Sequence, residues 1–181
     1  MQHINIEYMP TPFGELMLGT FNQQLCLCDW RYRKMRNAVD NRIKRLLDAS
    51  YVEQTDNIIA QTKTELVEYF SGTRQKFDVP LLLVGTNFQQ SVWQQLLKVK
   101  YGTTSSYLSL AQAMDNAKAI RAVAAANGAN GISIIVPCHR IIGSDGKLVG
   151  YAGGLSSKER LLHLEANTVG KHTLTHSLEL F

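Results

Sequence analysis

In ISIIVPCHRIIG, residues 132–143, an apolar run meets one proline and then three reactive side chains. Ile132, Ile134, Ile135 and Val136 are β-branched and predict a buried strand, which Pro137 ends because proline has no N–H to give to a ladder. Cys138, His139 and Arg140 follow directly. A free thiol is mostly protonated at neutral pH and is then a poor nucleophile, whereas a neighbouring imidazole that takes the proton activates it. Cys138 beside His139 therefore reads as an activated nucleophile. The plainer alternative is a small core cysteine next to a solvated histidine.

With 181 residues, 45% of them apolar, the chain suits one large domain or two small ones with real cores. The start MQHINIEYMPTPFGELMLG lacks a basic stretch followed by a long apolar run, and no segment reaches membrane-spanning length, so a cytoplasmic protein is expected. Three cysteines, two of them one residue apart, argue against a disulfide framework. Residues 1–83 carry 10 Lys and Arg against 10 Asp and Glu, whereas residues 84–181 carry 9 against 5. The whole net charge of +4 thus lies in the half that holds Cys138, where a polyanion is a natural partner.

Along the first half, residues 3–8, 13–19 and 24–29 have strand length and pattern, and a small antiparallel sheet is expected. Cys26 and Cys28 read as packing residues, since no further metal ligands lie near them. Met35, Val39, Ile43, Leu46 and Leu47 recur at helical spacing, with Arg36, Arg42, Lys44 and Arg45 as a solvated face. Ile59, Leu66 and Phe70 predict a second helix stopped at Ser71-Gly72, and residues 77–84 form an extended segment that Pro80 places at an edge or in a linker. A boundary falls near residues 84–87.

Beyond it, Thr86 and Gln89 have capping-box spacing ahead of a helix whose buried stripe is Phe88, Val92, Trp93, Leu96 and Leu97. Ser106 caps a short helix through Met114 with Leu108, Ala111 and Met114 inward; Asp115-Asn116 breaks it and caps another over residues 117–127. Two short helices joined by a tight turn have helix-turn-helix spacing. In the second, Ile120, Val123 and Ala124 can face the core, leaving Lys118, Arg121, Ala122 and Ala125 on a basic side with little bulk. Such a side can approach a groove or backbone closely and free one arginine to reach inward, whereas the plainer alternative is a helix rich in alanine for its helix propensity alone. The loop Gly150-Tyr151-Ala152-Gly153-Gly154 can wall a pocket with backbone amides and one ring. Ser156 and Glu159 suggest a capping box for a last helix in which Lys158, Leu161, Leu162 and Glu165 share a face. A carboxylate on an apolar stripe needs a partner, and His139 is the obvious one, the alternative being a helix-end glutamate that reaches water.

These residues together resemble the O6-alkylguanine-DNA alkyltransferases, the direct-reversal DNA repair proteins, and the constitutive bacterial class in particular. The resemblance runs from Thr86 to Glu165 through NFQQSVWQQL, YGTTSSYLSLA, RAVAAANGAN, IIVPCHRIIG, GYAGGL and KERLLHLE; residues 1–83 match only through the TPFGEL type of opening. It implies an α/β N-terminal domain over residues 1–84, resembling ribonuclease H and built on a small antiparallel sheet with helices. It also implies a mainly α, winged-helix-like domain with the helix-turn-helix over residues 85–170, and a tail from 171 to 181. The implied activity is a single-turnover transfer of the alkyl group from O6-alkylguanine, and O4-alkylthymine, to Cys138 after the nucleotide is flipped out. His139 would take the thiol proton through a water, Glu165 would hold the imidazole, Tyr107 would donate to the departing guanine, and Asn130 would tie the helix turn to the cysteine segment. Arg121 would fill the gap in the base stack, with Lys118, Ala122, Ala125 and Tyr107 also against DNA. Val136, Tyr151, Ala152 and Gly153 would line the base pocket. Double-stranded DNA is the implied partner, bound through the minor groove by a monomer, with no membrane, no cofactor and no metal ligand assigned.

Three departures from the family pattern stand out: Ala152 in place of a serine found in some members, Gly131 where an asparagine-proline pair is common, and Asn87 in place of a usual proline at a helix start. The rivals are a non-catalytic alkylated-DNA-binding protein of the same fold, which would lack the cysteine, and a cysteine hydrolase, which would cycle. A plain helix-turn-helix regulator leaves Cys138 and Glu165 without a role.

Overall fold

The computed structural model describes the backbone of residues 2–178 and the side chains of residues 2–170. Strands β1 (Gln2–Thr11), β2 (Gly14–Phe21) and β3 (Gln24–Trp30) form an antiparallel meander. Asn22 and Gln23, at φ 48° and 62°, make the two-residue turn between β2 and β3, whose twist suits a hairpin when both residues lie on the left-handed side. After helix α1 (Arg36–Leu47), strand β4 (Ala49–Glu53) lies parallel to β1, giving the order β3-β2-β1-β4. The sheet is therefore mixed rather than purely antiparallel. The sequence hides β4 because it is a five-residue edge strand with one buried side chain, Ala49. Helix α2 (Asn57–Phe70) starts at Asp56, whose carboxylate accepts the Ile59 N–H at 2.9 Å.

The two faces of the sheet carry separate apolar clusters. Ile4, Ile6, Met17 and Leu27 pack with Val39 and Ile43 of α1, while Leu16, Leu18 and Leu25 pack with Ile59, Leu66 and Tyr69 of α2. The second cluster runs on without a break into Trp93, Val123, Ile134 and Leu161, so one core spans both halves of the chain. The segment with Pro80 docks on the free edge of β3: Leu25 donates to Pro80 O at 2.8 Å, and Leu82 donates to Leu25 O.

In the second half, α3 (Asn87–Leu96) has the expected capping box from Thr86 and Gln89 and buries Val92, Trp93 and Leu96. Phe88 and Leu97, placed on that stripe from their spacing, are 37% and 44% exposed at its margins. Strand β5 (Ser105–Ser106) leads into α4 (Tyr107–Ala113), capped by Ser106, and a 3-10 turn at Ala117–Ala119 leads into α5 (Ile120–Gly128). Asn116 makes no side-chain cap, and the buried side of α5 is Val123, Ala126 and Asn127. Ile120, expected inside, is 38% exposed.

The cysteine segment is buried but is not a strand. Ile132 forms a single bridge with Cys28, held by Cys28 N–H to Gly131 O and Ser133 N–H to Cys28 O, and the chain then turns through Ile134 at φ 71°. β-branched residues fill a buried turn as readily as a buried strand, and Asn130 decides between them. Its amide accepts Ile132 N–H at 2.9 Å and donates to Ile132 O and Val136 O, replacing a neighbouring strand as partner for those groups. Cys138–Arg140 form a 3-10 turn, and β6 (Ile141–Ile142) pairs with β5 in parallel.

The last helix, α6, spans Leu155–Leu178 and starts before Ser156, with Lys158 N–H on Gly154 O, so Ser156 is not its cap. Its backbone continues past residue 171, where a tail was expected; the side chains from 171 onward lie outside the described residues. Among the described residues no helix is long and apolar enough to cross a membrane.

Candidate active site

Cys138 sits on the 3-10 turn with its thiol at the edge of a cleft of about 740 Å3. Tyr107, Ala124, Asn127 and Asn130 line one part of the cleft, and the loop from Gly150 to Gly154 lines another. Burial pushes the Cys138 thiol up, against a downward pull from the Asn130 amide. The resting sulfur is therefore a neutral thiol, in contrast to the imidazole-activated thiolate expected from the dipeptide alone.

His139 is fully buried, and its Nε2 lies 2.7 Å from Glu165 Oε1. Burial raises the Glu165 carboxyl, but the hydrogen bonds from His139 and Arg140 and the charge of the Arg140 guanidinium outweigh it and hold the group down at about 2. An ionised Glu165 can only accept, so Nε2 carries the hydrogen and Nδ1 is left as the basic nitrogen. Nδ1 is buried and has no hydrogen-bond partner among the described residues. Burial also lowers the His139 imidazole, with Glu165 opposing, so at rest the ring is neutral and ready to accept a proton.

Glu165 is held from every side. Tyr69 O–H donates to Oε1 at 2.7 Å, Arg140 donates through Nη2 to Oε1 and through Nε to Oε2, and Gly102 N–H donates to Oε2. Arg140 also donates to Val99 O. A carboxylate so satisfied has one orientation to offer the imidazole.

The loop wall is pinned by Lys158, which is fully buried and donates to Ile141 O at 2.5 Å, Val149 O at 2.7 Å and Gly150 O at 3.3 Å. Burial pushes its ammonium down to about 8. The Tyr151 ring stands edge-on between His139 and Trp30, at centroid separations of 6.4 and 6.0 Å.

The structure brings together Cys138, Asn130, Tyr107, Tyr151, Ala152 and Gly153 at one cleft, and His139 with Glu165 behind it. Val136 is the exception. It is buried away from the cleft, and its carbonyl already accepts from Cys138 N–H and Asn130 Nδ2. Lys118, Arg121, Ala122 and Ala125 are all exposed on α5 and its leading turn, outside the cleft but on the helix whose Ala124 and Asn127 line it. Gly131 leaves the Asn130 turn intact, given the three hydrogen bonds of that amide.

Sequence reasoning missed the share of the first half in this site. Phe13, Gly14, Trp30, Tyr32, Lys34 and Met35 line the cleft opposite the helices, and Tyr69 reaches Glu165. Arg33 donates to Asp29, to Asn130 O at 2.9 Å and to Gly128 O at 2.5 Å, while Arg42 donates to Ala129 O at 2.8 Å. Two arginines from the first half thus close the carbonyl end of α5. Arg42 had been placed on a solvated face; it lies instead over the Trp93 ring. Lys158, a cation on an apolar stripe that needs acceptors, signalled the pinned loop but nothing of the first half, since its acceptors Ile141, Val149 and Gly150 all lie in the second.

Comparison with known proteins places these features in a family. Residues 4–83 match the model of the 6-O-methylguanine DNA methyltransferase ribonuclease-like domain, and residues 87–167 match that of the DNA binding domain of the same proteins. The chain is 48% identical over 181 residues to the methylated-DNA–protein-cysteine methyltransferase of Mycobacterium leprae, covering 98% of this chain and 99% of that one. It is 39% identical to the constitutive enzyme of that name from Bacillus subtilis, covering 86% and 91%. The crystal structure of Mycobacterium tuberculosis OGT in complex with DNA superposes with a TM-score of 0.76 at 36% identity, over 92% of this chain and 94% of the other.

Proposed function

This chain belongs to the 6-O-methylguanine DNA methyltransferase family, which repairs DNA by moving an alkyl group onto a cysteine of the protein, and from that premise we propose that Cys138 is the acceptor. The observation that carries the assignment is the buried Nδ1 of His139, without a hydrogen-bond partner among the described residues, whose opposite nitrogen is fixed on Glu165 at 2.7 Å, next in the chain to a thiol that lines the cleft.

The thiol proton passes through a water to His139 Nδ1, and the imidazolium that forms is stabilised by Glu165. The sulfur attacks the alkyl carbon in line with the C–O6 bond, which breaks with its electron pair going to the guanine, and Tyr107 donates a hydrogen bond or proton to that leaving base. A thioether remains, and no step regenerates the thiol. Because both partners rest in neutral form, the charge appears only as the substrate is attacked, which protects a reactive thiolate from other electrophiles.

O6 is hidden inside a duplex, so the nucleotide must leave the stack at a cost of a few kcal/mol. Arg121, exposed on α5 among Ala122, Ala125 and Lys118, fills the vacated place from the minor groove. Tyr151, Ala152 and Gly153 wall the base pocket, and Asn130 holds the cysteine turn in register. The division near residue 84 is supported by the two family models, which meet there. The protein acts as a cytoplasmic monomer on double-stranded DNA, with O6-alkylguanine and O4-alkylthymine as substrates.

Titrating O6-methylguanine duplex into the protein tests the reading. Repair should stop at one lesion per chain; repeated turnover would mean a hydrolase, and bound but unrepaired DNA would mean a recognition protein.

A further inference from the structure

We propose that Trp30, a residue of the N-terminal sheet, sets the size of alkyl group that the site admits; the inference rests on Cys138 being the acceptor. The loop from Gly150 to Gly154 is a wall of the cleft that holds Cys138, and its start is anchored by Lys158. Its middle leans on Trp30. A Cβ added to Gly153 would lie 2.5 Å from indole Cε2 and 2.7 Å from Nε1, so the ring is packed against the glycine with no room for a methyl group. On its far edge the indole abuts the β1–β2 turn, where a Cβ on Gly14 would lie 3.3 Å from Cζ3. Trp30 is thus a rigid spacer between a turn of the sheet and the substrate wall, only 4% exposed and itself part of the cleft lining.

A spacer of fixed thickness fixes how far that wall stands back. The loop ends at Gly150 and Gly154, with φ of 37° and 84°, are free of Cβ strain and let its middle settle where the spacer puts it. Tyr151, edge-on to the indole, moves with it. Shrinking the spacer opens apolar volume beside Tyr151 that a methyl group leaves empty and a bulkier group fills. Trp30 acts through the loop it supports, as a positioning residue.

The test is the single-turnover rate constant of the full chain and its Trp30→Phe and Trp30→Ala variants, each checked for a cooperative melt, on duplexes holding O6-methylguanine or O6-benzylguanine. The benzyl-to-methyl ratio should rise several-fold in Trp30→Phe and by about ten-fold or more in Trp30→Ala, as expected when an apolar pocket gains room for the larger group. Where Trp30→Ala does not fold, the Phe ratio decides alone. An unchanged or lower ratio, with both rates falling together, would overturn the proposal and leave Trp30 a support of the fold. A wild-type chain that transfers neither group would instead remove Cys138 as acceptor.

Discussion

The chemistry of single residues turns on who holds which proton. His139 must be neutral to act as the base, and burial lowers its imidazole below the ordinary 6.5. The transfer rate should therefore fall with acid, with its half-maximal value below pH 6.5; a midpoint above 6.5 in single-turnover assays would show that a charged histidine, not a buried neutral one, is present at rest. His139→Ala should slow transfer by about 10²–10⁴-fold, the usual contribution of a positioned general base. At this scale much was legible. The pairing of His139 with Glu165 followed from a carboxylate on an apolar stripe, because such a group cannot stay unpartnered. The neutral resting thiol was not legible, since it depends on burial that a dipeptide does not reveal.

Among the elements, the alanine-rich α5 and the loop beside it divide the work of binding and positioning. Arg121→Ala should slow transfer from duplex DNA by about ten-fold or more while leaving single-stranded substrate nearly unaffected, because only the duplex needs its gap filled; equal losses on both substrates would place Arg121 elsewhere in the reaction. Lys158→Met removes the donor that binds the carbonyls of Ile141, Val149 and Gly150. Its transfer rate should fall by about 10-fold or more even where the fold survives, because buried carbonyls left unpaired cost about 1–3 kcal/mol each and release the loop. The elements most visible in the sequence were those with a cap and a period, such as α3 with Thr86 and Gln89. Strand β4 was hidden by its short edge position. The turn at residues 132–136 was hidden because its side chains are those of a strand and the deciding group, the Asn130 amide, acts from outside the run.

On the scale of the whole molecule the N-terminal half is part of the site. Tyr69 O–H donates to Glu165 across the two halves, and Arg33 and Arg42 close α5. Tyr69→Phe leaves the volume unchanged and removes one hydrogen bond to a charged acceptor, so it should cost about 2 kcal/mol of stability and lower the thermal midpoint by several degrees. Stability should also fall with acid. Glu165 is held at about 2 in the folded protein against 4.5 for the free group, so its contribution is fully present above pH 4.5 and is lost as pH drops toward 2. These long-range partnerships join positions about a hundred residues apart and leave no periodic trace, which is why neither Trp30 nor Tyr69 stood out in the sequence. The account stands most directly on the intact mass of the protein after incubation with DNA containing O6-methylguanine. It predicts a gain of one methyl group, carried by the peptide with Cys138 and absent in Cys138→Ala; an unmodified wild-type chain, or a methyl group retained when Cys138 is gone, would contradict it.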